Sequence, residues 1–484
     1  MRAIACGLLF VFFVNGFTHA QLPADSRAKV ETLATETLRT SGVPSASVGI
    51  VSEGEVSFTQ AFGLAHVSPD VKASAAMAYP IGSISKQFTS AALLLLQQEG
   101  KLSLDDKVGK YFPELTRSND ITIRNLLTMT SGYEDNAPQD YIIPSWLKPV
   151  DPLTLVRQWA EKPLDFEPGT DWQYSNTNYV VAGLIVEKVT GQPLMKFLRE
   201  RIFTPLKLEG IVNTYTEREK LEVTGYVSYA MAPVREQALE GTGWCQGDGD
   251  LAMPVATLLK WDLSIMNQTL LKPESYKELE TPFVLKDGRD SGYGLGINVR
   301  MVNGHRMISH SGEVGGFVSD NVMYPEDHFA VAVLTNEVAA SAAAKIANGV
   351  TGAMIPAVSP AKKESGNRGD SPRRFEAVPE TGVLKGFGAK LATILDELEK
   401  RKIDRKLFTF DCNAYFSADA LKDFSGTLTP YGPVTNAILT GSAQRGGMTF
   451  AAYAVSFEHG PPVRVTLYLQ PDGAIEQLLV TGKL

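Results

Sequence analysis

Cysteine is scarce in this sequence: of 484 residues only three are cysteines. Cys6 sits in an N-terminal apolar run, which leaves Cys245 and Cys412 far apart in the chain. Two such residues allow a disulfide without implying one, and they exclude a cysteine-stapled scaffold. Histidine is scarce as well, with six in the chain, and His66, His305, His310 and His328 stand at no spacing that suits zinc; no metal is expected. No basic cluster breaks a chain of net charge −8 and pI near 5.5, so nucleic acid is not an expected partner. Neither GxxxxGK[ST] nor a strand-anchored GxGxxG occurs, and no cofactor is implied. Beyond residue 20 no apolar run is long enough to span a membrane.

What is present begins with a leader. Arg2 gives a positive start, residues 8–13 an apolar centre, and Thr18-His19-Ala20 ends on a small residue. This predicts a signal peptide over 1–20 and export to the periplasm or the extracellular space. A helix is expected over 27–38, then strands over 45–51 and 56–62 joined by Glu53-Gly54. Residues 133–275 read as mainly helical, with helices over 180–189, 193–203 and 255–266. From Tyr293 the period returns to two, predicting strands over 294–301, 306–309, 317–324 and 329–334, and a final helix over 338–350. Strands at both ends with helices between them imply an α/β lobe plus an all-helical lobe, with a cleft at their junction. This domain is expected over 21–356. Residues 357–382, rich in Pro, Gly and charge, read as a linker. A small α+β domain follows over 383–484, with an amphipathic helix at 383–398 and strands over 449–457, 463–469 and 474–480. Its order of helix then strands is similar to that of nuclear transport factor 2, and its partner is left open.

The stretch Gly82-Ser83-Ile84-Ser85-Lys86 opens the most apolar helix of the chain. Ser83 and Lys86 share a helical face, and a hydroxyl beside an amine makes a candidate nucleophile with a proton acceptor. Two further motifs add weight: Tyr174-Ser175-Asn176 on a loop, and His310-Ser311-Gly312 at a strand end. Together these three motifs resemble the serine β-lactamase and penicillin-binding family, specifically its branch of class C β-lactamases, D-alanyl-D-alanine carboxypeptidases and esterases. The resemblance covers about residues 28–352, and it implies an antiparallel sheet flanked by helices plus a helical lobe. Asn125 to Gly132 also looks like a family segment, with Met129 where histidine is frequent.

The resemblance implies an exported serine hydrolase that acts through an acyl-enzyme on small esters or D-amino-acid peptide-like amides. Ser83 would attack, with Lys86 or Tyr174 taking its proton; that choice stays open. Asn176 would orient Lys86 and bind a substrate amide, and backbone N–H groups of Ser83 and Glu313 would hold the oxyanion. Gly312 would let the strand edge approach substrate. His310 stands where β-lactamases usually carry lysine, which weakens the case for a dedicated β-lactamase. A weak β-lactamase, or a non-catalytic binding or scaffold protein, is the alternative. Asp248-Gly249-Asp250 reads as a turn, and Glu167 as a solvated loop charge.

Overall fold

In the run Phe329–Thr335, Val331 and Val333 point to one side while Ala330, Ala332 and Leu334 point to the other. All are buried, so this strand is covered on both faces. It lies at the centre of a seven-stranded antiparallel sheet in the computed structural model, which describes residues 21–356 and 377–483. In space the strands run Asp70–Lys72, Glu55–Val67, Ser45–Ser52, Phe329–Thr335, Phe317–Tyr324, His305–Val314 and Asn298–Val302. The first long strand thus pairs with the last, Ser47 opposite Leu334. Helices Ala24–Ser41 and Ala342–Met354 cover one face through Val30, Ala34, Ile346 and Val350. Helix Val255–Met266 lies across the other face and joins the sheet to an inserted helical lobe. The expected leader and most of the expected linker lie outside the described residues.

Several boundaries differ from expectation for identifiable reasons. The strand expected from residue 294 begins at Asn298, because Gly294 turns back and donates its N–H to Ile297 O at 2.8 Å. The strand expected to stop at residue 309 continues to Val314, paired along its length with Phe317–Tyr324. Ser309, Ser311 and Gly312 interrupt its apolar alternation, which hid the continuation. Helix Thr177–Thr190 starts three residues earlier than expected, so Asn176 stands at its N-cap position.

The C-terminal unit holds helices Phe387–Glu399, Phe410–Tyr415 and Ala418–Leu428, then a four-stranded antiparallel meander. Its strands are Val434–Arg445, Met448–Phe457, Val463–Leu469 and Ile475–Lys483, adjacent in chain order. The first of them and the two shorter helices were not expected from the sequence. Residues 377–382, expected in the linker, already bind this unit: Val378 N–H donates to Leu439 O (2.8 Å), and Glu380 accepts from Gly388 N–H (2.9 Å). The unit docks on the helical lobe through an aromatic knot, Tyr415 lying 5.0 Å from both Tyr141 and Tyr229 between ring centroids. Polar contacts surround the knot: Tyr141 Oη donates to Glu476 O at 2.8 Å, and Asp140 N–H to Gln477 Oε1 at 2.7 Å. Cys245 and Cys412 are both free thiols.

Candidate active site

Ser83 projects from a single tight turn, Gly82–Ser85, that runs into helix Lys86–Gln98. Every residue of that helix from Lys86 to Leu96 is buried, as its unbroken apolar run dictates. The turn is held from behind by the strand His305–Val314. Gly82 has φ +51°, and a Cβ there would lie 2.6 Å from Glu313 N; a Cβ on Gly312 would lie 1.9 Å from Ile81 O. Gly312 therefore serves the close fit of the strand against the turn, and this fit brings the backbone of Glu313 beside that of Ser83.

Lys86 is fully buried and spends all three of its protons. Nζ donates to Ser83 Oγ (2.9 Å), Asn176 Oδ1 (2.7 Å) and Asp248 O (3.0 Å). Asp248 Oδ2 lies 3.5 Å away. Burial favours the neutral amine, but Tyr174 and Asp248 beside it outweigh burial and raise the lysine above its ordinary value. Lys86 is an ammonium at neutral pH. The Tyr174 ring faces it, 5.1 Å from Nζ to the centroid.

Asn176 owes its orientation to Asp135, a fully buried carboxylate. Asp135 Oδ1 accepts from the Asn176 backbone N–H (2.9 Å) and from its side-chain Nδ2 (3.1 Å), while Ala137 O accepts from Nδ2 at 3.2 Å. With the amide nitrogen held by two acceptors, the amide oxygen is left to face Lys86.

His310 lies in the pocket wall and is only 4% exposed. Ser311 O, which can only accept, lies 2.6 Å from Nδ1, so that nitrogen carries the proton. Nε2, 2.9 Å from Tyr293 Oη, accepts in turn. Burial, with Lys86 nearby, pushes the imidazole down to about 4, so the ring is neutral. The wall thus lacks the fixed cation that a lysine would bring.

The pocket at Ser83 has a volume of about 340 Å³ and also touches Tyr174, Asn176, His310 and Trp172. Among the described residues that line its wall Arg445 is the one cation, with the Lys86 ammonium buried beneath Ser83, against the four acids Asp140, Glu240, Asp248 and Glu313. Burial raises all four: Asp248 to about 7, and Glu313, with Asp140 also acting on it, to about 8. Sequence reasoning missed Asp135, Asp248 and Arg445 as site residues. Tyr293 is both buried and in the pocket wall. Glu167 pairs with Arg117 at the surface, 2.6 Å apart and away from the pocket.

A family model described as Beta-lactamase matches residues 30–350. Protein flp of Staphylococcus aureus (strain MW2) is 27% identical over 326 residues, which is 65% of this chain and 64% of that protein. The match therefore spans just under two thirds of this curated relative. Among solved structures, a D-stereospecific amidohydrolase from Streptomyces sp. superposes with a TM-score of 0.58 at 26% identity, over 69% of this chain and 99% of that one. The octameric penicillin-binding protein homologue from Pyrococcus abyssi shares the fold more widely, with a TM-score of 0.61 at 20% identity over 93% of this chain and 99% of that one.

Proposed function

We propose that this chain, which belongs to the beta-lactamase family, is an exported serine hydrolase that cleaves small esters or D-amino-acid amides through an acyl-enzyme. The observation that carries the reading is the 2.9 Å contact from Lys86 Nζ to Ser83 Oγ at the floor of a pocket that also holds Tyr174 and Asn176. Lys86, charged and with every proton donated, cannot accept another. The Tyr174 oxygen, on the ring that faces that ammonium, is then the acceptor of the Ser83 proton as Oγ attacks the carbonyl carbon. The carbonyl oxygen becomes an anion between the N–H groups of Ser83 and Glu313. Collapse of this adduct expels the leaving group, which takes the proton from Tyr174. Water then repeats the sequence on the acyl-enzyme and releases the acid.

Charge in the pocket supports the choice of substrate. His310 is neutral and the wall cation Arg445 is already paired with Asp135, so among the described residues a substrate carboxylate meets no unpaired wall cation, and repulsion grows as the four buried acids ionise with rising pH. Neutral esters and amides that carry an ammonium suit it better than carboxylate-bearing β-lactams. The name of the Streptomyces neighbour, a D-stereospecific amidohydrolase, supports the same class.

The test is a fluorescent phosphonate followed by intact-mass measurement. Wild type should gain one adduct and Ser83→Ala none; an unlabelled, folded wild type would sink the hydrolase reading. A p-nitrophenyl ester, a D-amino-acid amide and a chromogenic cephalosporin should rank in that descending order of kcat/KM.

A further inference from the structure

The strands Val434–Arg445 and Met448–Phe457 are joined by Gly446-Gly447, a two-residue turn with φ +57° and +70° at its glycines. This turn, part of the C-terminal unit, is inserted into the hydrolase lobe. A Cβ on Gly446 would lie 2.9 Å from Pro138 Cγ and 3.3 Å from Asp135 O, so only glycine fits there. Gly446 N–H also donates to Gln173 Oε1 at 3.3 Å. The hairpin tip is therefore wedged between the loop that carries Asp135 and the loop that carries Tyr174.

Seated this way, the hairpin delivers Arg445 to the pocket. Its Nε donates to Asp135 Oδ2 at 2.8 Å, and Nη2 donates to Ala137 O at 3.3 Å. Its guanidinium carbon stands 5.1 Å from the centroid of the Tyr174 ring. Asp135 Oδ1 is the group that holds both the backbone and the side chain of Asn176, whose oxygen faces Lys86.

We propose that Arg445 is a positioning residue of the hydrolase site, through which the C-terminal sheet holds Asp135, and by it Asn176, in the arrangement that fixes Lys86 against Ser83. The inference rests on the serine-hydrolase reading above. Without the arginine, Asp135 would be a buried anion with its cationic partner removed, the costly half of a broken ion pair. It would be drawn toward the other nearby cation, the Lys86 ammonium, and would leave the Asn176 amide free to turn. A guanidinium suits this place because its planar fork reaches Asp135 and Ala137 O together, which an ammonium cannot reproduce.

The experiment measures the phosphonate labelling rate of Ser83 and ester kcat and KM separately, in the full-length chain. Arg445→Ala should slow labelling and kcat by about 100-fold, the scale of an ångström-sized misplacement in a site, with KM changed much less. Adding Asp135→Asn to Arg445→Ala should restore at least several-fold of the labelling rate, because the orphaned charge is then gone. Arg445→Lys should fold and fall between wild type and Arg445→Ala. Near-UV circular dichroism reports whether each variant keeps its packing. If Arg445→Ala does not fold, Arg445→Lys decides: a labelling rate within twofold of wild type overturns the proposal. Wild-type labelling in a folded Arg445→Ala variant overturns it, as does a loss confined to KM, which would make the arginine a substrate contact. A double variant no faster than Arg445→Ala overturns it too. An unlabelled wild type would instead bring down the hydrolase reading itself.

Discussion

Two cations reach the site by opposite routes. Lys86 stands three residues after Ser83 on a buried helix, and its position follows from helical spacing alone. Arg445 arrives on the tip of a hairpin, and its carboxylate partner Asp135 is 310 positions away in the chain. Lys86 is held by the core of the domain that contains Ser83. Arg445 is held by the docking of one unit on another, through a turn that tolerates only glycine. The first depends on local sequence, the second on an interface, and the two should fail in different ways.

The largest effect is expected at the local cation. Lys86→Ala should slow Ser83 labelling by about 100- to 10,000-fold, the range for losing a group that serves proton transfer. A rate near wild type would mean that the short contact to Ser83 Oγ has no part in the chemistry. Next comes removal of the docked unit. A chain ended after residue 356 loses Arg445 together with Gln477 and uncovers Tyr141, and its ester hydrolysis should fall by about 100-fold or more. Hydrolysis within tenfold of the full chain would make the C-terminal sheet an accessory. Gly446→Ala tests the seat without touching a charge. The added carbon meets Pro138 and strains a left-handed residue, so labelling should slow by about tenfold while the thermal midpoint moves little.

The smallest effect belongs to the sheet itself and serves as the control for the other three. Asp262, on helix Val255–Met266, accepts at Oδ2 from Asn321 Nδ2 at 2.8 Å, and Oδ1 of both side chains is unpaired. Burial pushes Asp262 up to about 8, so its neutral acid is the folded form at lower pH. The folded state then holds a proton that the unfolded chain, with a carboxyl near 4, has released. Stability from this group is complete below about pH 4 and declines at up to ~1.4 kcal/mol per pH unit until the folded carboxyl ionises near 8. Urea midpoints between pH 5 and 8 should fall in wild type and be flatter in Asp262→Asn. Equal slopes would show that Asp262 does not contribute to the decline. Ser83 labelling should be alike in the two proteins.

The same contrast explains what the sequence made legible. Ser83, Lys86, Tyr174 and Asn176 are each named by short spacings, so the local half of the site could be read before any fold was known. The central strands were equally plain, because Val331, Val333 and their neighbours are apolar without a break. Asp248 was read as a turn residue, and its backbone is indeed a turn. Its second identity exists only because that turn passes Lys86. Val434–Arg445 escaped notice because most of its residues are partly or fully exposed and Leu439 alone is buried, leaving no alternation to detect. The Gly446-Gly447 pair just before a clear strand was the signal that could have exposed the hairpin. Nothing in the local sequence of Asp135 or Arg445 could have paired them.

The strand order has a consequence in time. Ser45–Ser52, synthesised long before Phe329–Thr335, sits between that strand and Glu55–Val67 and cannot be enclosed until Phe329–Thr335 has left the ribosome. Pairings this distant are slow to form, since the intervening loop must close before any contact rewards it. His310 and Glu313 emerge shortly before that closing strand, and Arg445 more than a hundred residues later. The nascent polypeptide therefore carries Ser83 and Lys86 for most of its synthesis before the strand that backs their turn, and later the hairpin that bears Arg445, have been made.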